Sequence, residues 1–176
     1  MDQTRHHFTQ ALQDMYQSIL RMGTLVEEAL RKALTSVSTL DYKLAEQVIN
    51  DDKRIDQAQL EVEDACAKLI ATEQPVATNL REILVAIKIA SDLERIGDHC
   101  SNIARNAEHV VEAPDILNVI QLKAMSSTAR RMLDEAKQAF LDRDGELARS
   151  IPDLDDEVDR LHHENFRALV DYIREH

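Results

Sequence analysis

Residues 15–40 read MYQSILRMGTLVEEALRKALTSVSTL. The apolar positions Met15, Ile19, Met22, Val26, Ala29/Leu30, Ala33, Val37 and Leu40 recur every three or four residues. That spacing lines one face of a helix and neither face of a strand. It predicts a single amphipathic helix of about ten turns with Gly23 inside it.

The same period continues on the C-terminal side. Asp41 is a capping residue for a second helix, whose apolar line is Leu44, Val48, Ile55, Val62, Cys66 and Leu69/Ile70. Glu73-Gln74-Pro75 should stop it, because a residue before proline avoids helical geometry. A third helix is expected from about Ala77 to Glu112, stopped by Ala113-Pro114. A fourth should run from about Asp115 to Asp142, with Leu122, Met125, Ala129, Met132/Leu133, Ala136 and Phe140 on one stripe. The fifth opens near Asp144-Gly145 and runs to the end. Pro152 should break or kink it, since proline removes a helix hydrogen bond and clashes with the preceding turn, at about 3 kcal/mol in an interior.

Composition agrees with an all-α, five-helix reading. Three Gly and three Pro in 176 residues leave little material for turns, and 3% aromatics without Trp argue against a sandwich or barrel. The net charge of -12 disfavours nucleic acid and anionic membrane as partners, since both attract through Lys/Arg clusters. The polar start and the short apolar run Ile83–Ala90 predict neither a signal peptide nor membrane insertion, hence a cytoplasmic protein. Cys66 and Cys100 are then expected as reduced, buried thiols.

A shift of 103 residues superposes Ile19 on Leu122, Met22 on Met125, Leu30 on Leu133 and Ala33 on Ala136. It also brings Asp41 onto Asp144, Leu44-Ala45 onto Leu147-Ala148, and Asp52, Ile55 and Asp56 onto Asp155, Val158 and Asp159. Matching acids across two helices without a gap point to a duplicated three-helix unit. The first copy spans residues 1–112. The second, residues 115–176, has two helices, so the chain is expected to be shortened at its last helix. The apolar face left open should be covered by a second molecule, a swapped element or a partner protein.

The third helix carries Asp92-Leu93-Glu94-Arg95-Ile96-Gly97-Asp98-His99-Cys100-Ser101-Asn102-Ile103-Ala104. Leu93, Ile96, Cys100 and Ile103 form its apolar stripe, and Glu94 and Asp98, one turn apart, point together away from it. Asp52 and Asp56 make an equivalent pair at the edge of the second helix's stripe. If the two helices are antiparallel neighbours, four carboxylates converge, a donor set for hard cations such as Mg²⁺, Mn²⁺ or ferric iron. Against this stands ordinary acidic surface: with 33 acids in the chain, roughly six such pairs arise by chance. Gly97 inside the helix adds weight to a close approach. The histidines lack companions at ligand spacing, and neither a Gly-rich phosphate loop nor a nucleophile elbow is present.

The run Asp92–His99 followed by Asn102-Ile103-Ala104 resembles the acidic-xxx-Asp signature of the PhoU family, with Met22-Gly23, Asp52…Asp56 and Gln74-Pro75 in supporting places. The resemblance covers the whole chain and implies tandem three-helix-bundle repeats, the second incomplete. It implies a regulator, not an enzyme: a negative regulator of phosphate uptake and the phosphate regulon. The partners it implies are the ATPase subunit of the phosphate ABC transporter, the phosphate-sensing histidine kinase and a second copy in a homodimer. It also implies a surface metal site of Glu94, Asp98, Asp52 and Asp56, with Asp155 and Asp159 as half of a second, for iron, manganese, magnesium or zinc. The second acidic-xxx-Asp helix is absent from this chain. The alternative from another class is a carboxylate-cluster protein with a hydrolytic or storage role.

Overall fold

The structure, a computed structural model, describes residues 2–112 and 114–175. Ala113, half of the expected stop after the third helix, lies outside the described residues, as do Met1 and His176. All the regular elements are helices: α1 (Asp2–Thr39), α2 (Tyr42–Glu73), α3 (Ala77–Glu112), α4 (Ile116–Val119), α5 (Leu122–Asp142) and α6 (Gly145–Glu175).

The 3.6-residue pattern becomes one core. Met15, Met22, Val26 and Ala33 of α1 meet Val48, Val62 and Cys66 of α2 and Ile83, Ala90 and Cys100 of α3, all almost fully buried. Each of α1, α2 and α3 packs on the other two, a three-helix bundle; α5 pairs with α6, and a thinner α1–α5 contact joins the two parts. Both cysteines are free and buried, as expected. Among the described residues, no helix is long and apolar enough to cross a membrane.

The expected fourth helix is corrected: it is two elements, giving six helices instead of five among the described residues. Ile120 is extended (φ -95, ψ 148) after its N–H closes the single turn of α4 onto the Ile116 carbonyl. The Gln121 N–H donates to Asn165 Oδ1 at 2.7 Å, so a side chain of α6 takes the bond that a continuous helix would have used. Asn165 stands 103 residues after Val62, where the first unit has a fully buried apolar side chain. Pro152 does not break α6, which runs through it. Its ring lies on the exposed side, and the carbonyl it leaves unbonded belongs to Ala148, an exposed residue in reach of water.

The α1–α2 corner recurs between α5 and α6. Leu40 and Arg143, 103 residues apart, both take left-handed backbone (φ 55 and 52). The next N–H then reaches back to the Ser36 carbonyl in one corner and the Ala139 carbonyl in the other, each at 2.9 Å. Asp41 and Asp144 come next as caps, accepting from the N–H groups of Leu44 (3.1 Å) and Leu147 (3.0 Å). On either side of these corners the two halves differ. Ala33 and Ala45 are buried beneath α3, whereas Ala136 and Ala148 are exposed.

Candidate metal centre

The short link Gln74–Val76 returns α3 antiparallel to α2, and Gly97 sets how closely the two approach. A Cβ on Gly97 would lie 2.9 Å from Ile55 Cδ1, 3.1 Å from Ile55 Cγ2 and 3.6 Å from Asp52 Oδ1. Any side chain here would make Ile55 shift. In this register Asp52 and Asp56 of α2 lie near enough to Glu94 and Asp98 of α3 for the four acids to repel one another.

The electrostatics arise from that register. Burial pushes the Asp52 carboxyl above the usual range, and repulsion from Asp56 and Asp98 adds to it, against the opposing pull of the Ser101 hydroxyl and Arg105. Glu94 is likewise raised, by partial burial first and then by Asp98, Asp56 and Asp52. None of the four carboxylates makes an ion pair among the described residues. Neighbouring acids do: Lys32 Nζ lies 3.3 Å from Asp51, and Arg95 lies 3.5 Å from Asp92. Arg105 spends a guanidinium N–H on Asn102 Oδ1 at 2.8 Å. The patch is therefore negative, with Arg105 and Arg95 offsetting only part of the repulsion.

Ser101 is a member that sequence reasoning missed. It is fully buried, and its hydroxyl oxygen has no hydrogen-bond partner. The hydroxyl nonetheless lies near enough to Asp52 to favour that carboxylate's charged form. The available signal was its place one turn from Asp98 on the flank of the apolar stripe, where a serine has to satisfy itself against the facing helix. A buried hydroxyl that favours the charged form of Asp52, among four carboxylates, fits a hard cation in chemistry. In arrangement the carboxylates form an open patch: among the described residues no three His, Cys, Asp or Glu side chains stand close enough together to hold an ion.

Asp155 and Asp159 are placed otherwise. Both are exposed on α6, which packs on α5 and α4, and they lack the facing carboxylates that α3 gives to Asp52 and Asp56. The adjacent histidines do not join them as ligands; His163 Nδ1 contacts the backbone oxygen of Asp159 at 2.7 Å, and His162 and His163 meet edge to face.

The family model described as the PhoU domain matches this chain twice, over residues 19–107 and 122–176. The chain belongs to the PhoU family. The two matches begin at Ile19 and Leu122, the same 103-residue shift that relates the two corners. A "Phosphate-specific transport system accessory protein PhoU homolog" of Aquifex aeolicus is 35% identical over 164 residues, covering 93% of this chain and 74% of that protein. The homologue so named in Pseudomonas aeruginosa is 34% identical over 179 residues, covering 99% and 74%. Among solved structures, PhoU from Pseudomonas aeruginosa superposes with a TM-score of 0.89 at 34% identity, over 96% of this chain and 81% of that one. A phosphate transport system regulatory protein PhoU from Streptococcus pneumoniae gives 0.86 at 29% identity, over 96% and 79%.

Proposed function

We propose that this chain is an accessory regulator of a phosphate-specific transport system, acting in the cytoplasm as a binding protein without catalysis. The observation that carries the reading is the match, over nearly the whole chain, to relatives named as accessory proteins of that system. Its partners in this reading are the transporter's ATPase subunit and the phosphate-sensing histidine kinase, and its output is restraint of uptake and of the phosphate regulon. A homodimer would cover the open α5–α6 face.

The α2–α3 patch supplies the metal half of the proposal. Glu94, Asp98, Asp52 and Asp56 would hold a hard cation such as iron, manganese or magnesium, or else zinc. The ion would supply positive charge where the chain has none to spare. The mutual repulsion that raises Asp52 and Glu94, and the buried Ser101 hydroxyl beside them, support this. Asp155 and Asp159 are proposed only as half a site. The protein's own part is to hold rigid helix faces for partner helices and to switch the charge of one face on metal binding.

Two experiments test the reading. Capture of the ATPase subunit or of the kinase's cytoplasmic region by the purified chain supports the regulator; failure to retain either, from a folded sample, removes it. Metal analysis of wild type beside a Glu94→Gln/Asp98→Asn variant tests the patch, with metal expected in the first and lost from the second. Turnover of a phosphate ester by the metal-loaded protein, abolished by Asp98→Asn, would replace the binding role with hydrolysis.

A further inference from the structure

A second polar site lies away from the carboxylates, between the C-terminal half of α1, the α4 turn and the start of α5. It is a cavity of about 510 Å³ into which Arg31 reaches from α1 and Lys123 and Arg130 from α5. Among the described residues no Asp or Glu lines it. In a chain with 33 acids against 21 Lys and Arg, three cations to no acid reverses the overall balance.

None of the three cations makes an ion pair among the described residues, although Lys32, Arg54, Arg95, Arg131 and Lys137 all do. Glu28, one turn before Arg31, is held by Lys32 at 2.9 Å. Arg31, Leu34, Thr35 and Ser38 line up on one face of α1, and Lys123, Ser126 and Arg130 on one face of α5. Two cationic helix faces thus look at each other across a hollow.

Three other polar groups in the wall are committed. Thr35 and Ser126 hydroxyls donate to the carbonyls of Arg31 (2.8 Å) and Lys123 (2.9 Å). The Gln121 side-chain amide donates to Glu164, itself 2.6 Å from Arg160. Gln121 therefore gives α5 no side-chain cap, and the first turn of that helix contains Lys123 and no acid. A cation beside the positive end of a helix is unfavourable on its own. An anion in the hollow relieves both that repulsion and the repulsion among the three side chains, and uncapped N–H groups at a helix start are ready donors to it. Two guanidinium forks and an ammonium suit an anion with several oxygens, and the half-buried Leu34 and Leu117 leave room for a less polar body beside it.

We propose that this cavity binds a phosphoryl oxyanion, free or on a small phosphorylated molecule, through Arg31, Lys123, Arg130 and the N-terminus of α5. The site goes beyond the accessory role and is independent of the metal patch. The test is calorimetric titration of the whole chain, freed of metal by chelation, with inorganic phosphate, pyrophosphate and ATP at low ionic strength. Saturable binding of at least one probe is expected. It should weaken tenfold or more in Lys123→Gln/Arg130→Gln, and also in Arg31→Gln on the facing helix, and stay unchanged in Arg95→Gln. Saturation by inorganic phosphate identifies the free ion, and saturation by ATP alone identifies a phosphorylated molecule. No saturation by any of the three probes, or equal affinity in wild type and both cavity variants at unchanged circular dichroism, overturns the proposal. The metal analysis of Glu94→Gln/Asp98→Asn reads the carboxylate patch separately, so failure of that patch is distinguished from failure of this site.

Discussion

Gly97 shows how one missing side chain can set a whole interface. A methyl group there would meet Ile55 at 2.9 and 3.1 Å, and the second of those atoms branches at Cβ and moves only by turning χ1, which a β-branched residue in a helix resists. Overpacking costs typically about 1–3 kcal/mol, whereas alanine gains up to about 1 kcal/mol in helix propensity over glycine. Gly97→Ala is therefore expected to be a net loss on the order of 1 kcal/mol by urea unfolding. It should also weaken metal uptake, because α2 and α3 part where the carboxylates face. A gain in stability would mean that Ile55 yields freely.

Titration at the same helices has a definite sign. Asp52 and Glu94 bind protons more tightly folded than unfolded, so their ionisation opposes folding. In metal-free protein these two groups should add stability as the pH falls from 7 towards the ordinary carboxylate range, a gain that Asp52→Asn/Glu94→Gln should remove and added metal should flatten. The thiols give the opposite limb. Burial raises Cys66 to about 11 and Cys100 to about 12, so the unfolded chain ionises its thiols first. Stability should fall as the pH rises past 9, and neither thiol should react with Ellman's reagent at pH 8 until the chain unfolds.

At the scale of elements, the long helices and their ends were legible because a 3.6-residue period and two capping aspartates leave no other reading. Asp41→Ala and Asp144→Ala are each expected to cost about 1 kcal/mol. The split between α4 and α5 was not legible. It depends on Asn165 reaching 44 residues back in sequence to the Gln121 N–H, a tertiary bond that no local pattern announces. Asn165→Leu should leave that partly buried N–H without its acceptor, at a cost of about 1–3 kcal/mol in thermal unfolding. Pro152 misled for the converse reason, since its neighbours are exposed enough for water to take the bond it forfeits. The acid pairs of the metal patch could be read one helix at a time. Ser101 and the cations around the α5 start could not, because their meaning comes only from the facing element.

At the scale of the molecule, few contacts join the α5–α6 hairpin to the three-helix bundle. Tyr16 of α1 donates to Glu82 of α3 at 2.8 Å, packs on Phe140 of α5 at 5.5 Å between ring centroids, and lies beneath the Arg143 guanidinium. Lys137 of α5 bonds Glu27 of α1. Tyr16→Phe keeps the ring stacking and removes the bond to Glu82, for an expected loss of about 1 kcal/mol. If the hairpin docks mainly through this cluster, near-ultraviolet circular dichroism should fall more than helix content.

The unequal layering of the two halves also sets two clocks. Ala33 and Ala45 lie under a third helix, whereas their counterparts Ala136 and Ala148 meet solvent. Backbone amides of α1–α3 can exchange with deuterium only when the whole bundle opens, while those of α5 and α6 need only the hairpin to lift and fray. A slow and a fast population of amides, divided near residue 120, is the kinetic image of a chain whose repeated halves are not equally roofed. Anything that seats on the bare hairpin should merge the two populations into one.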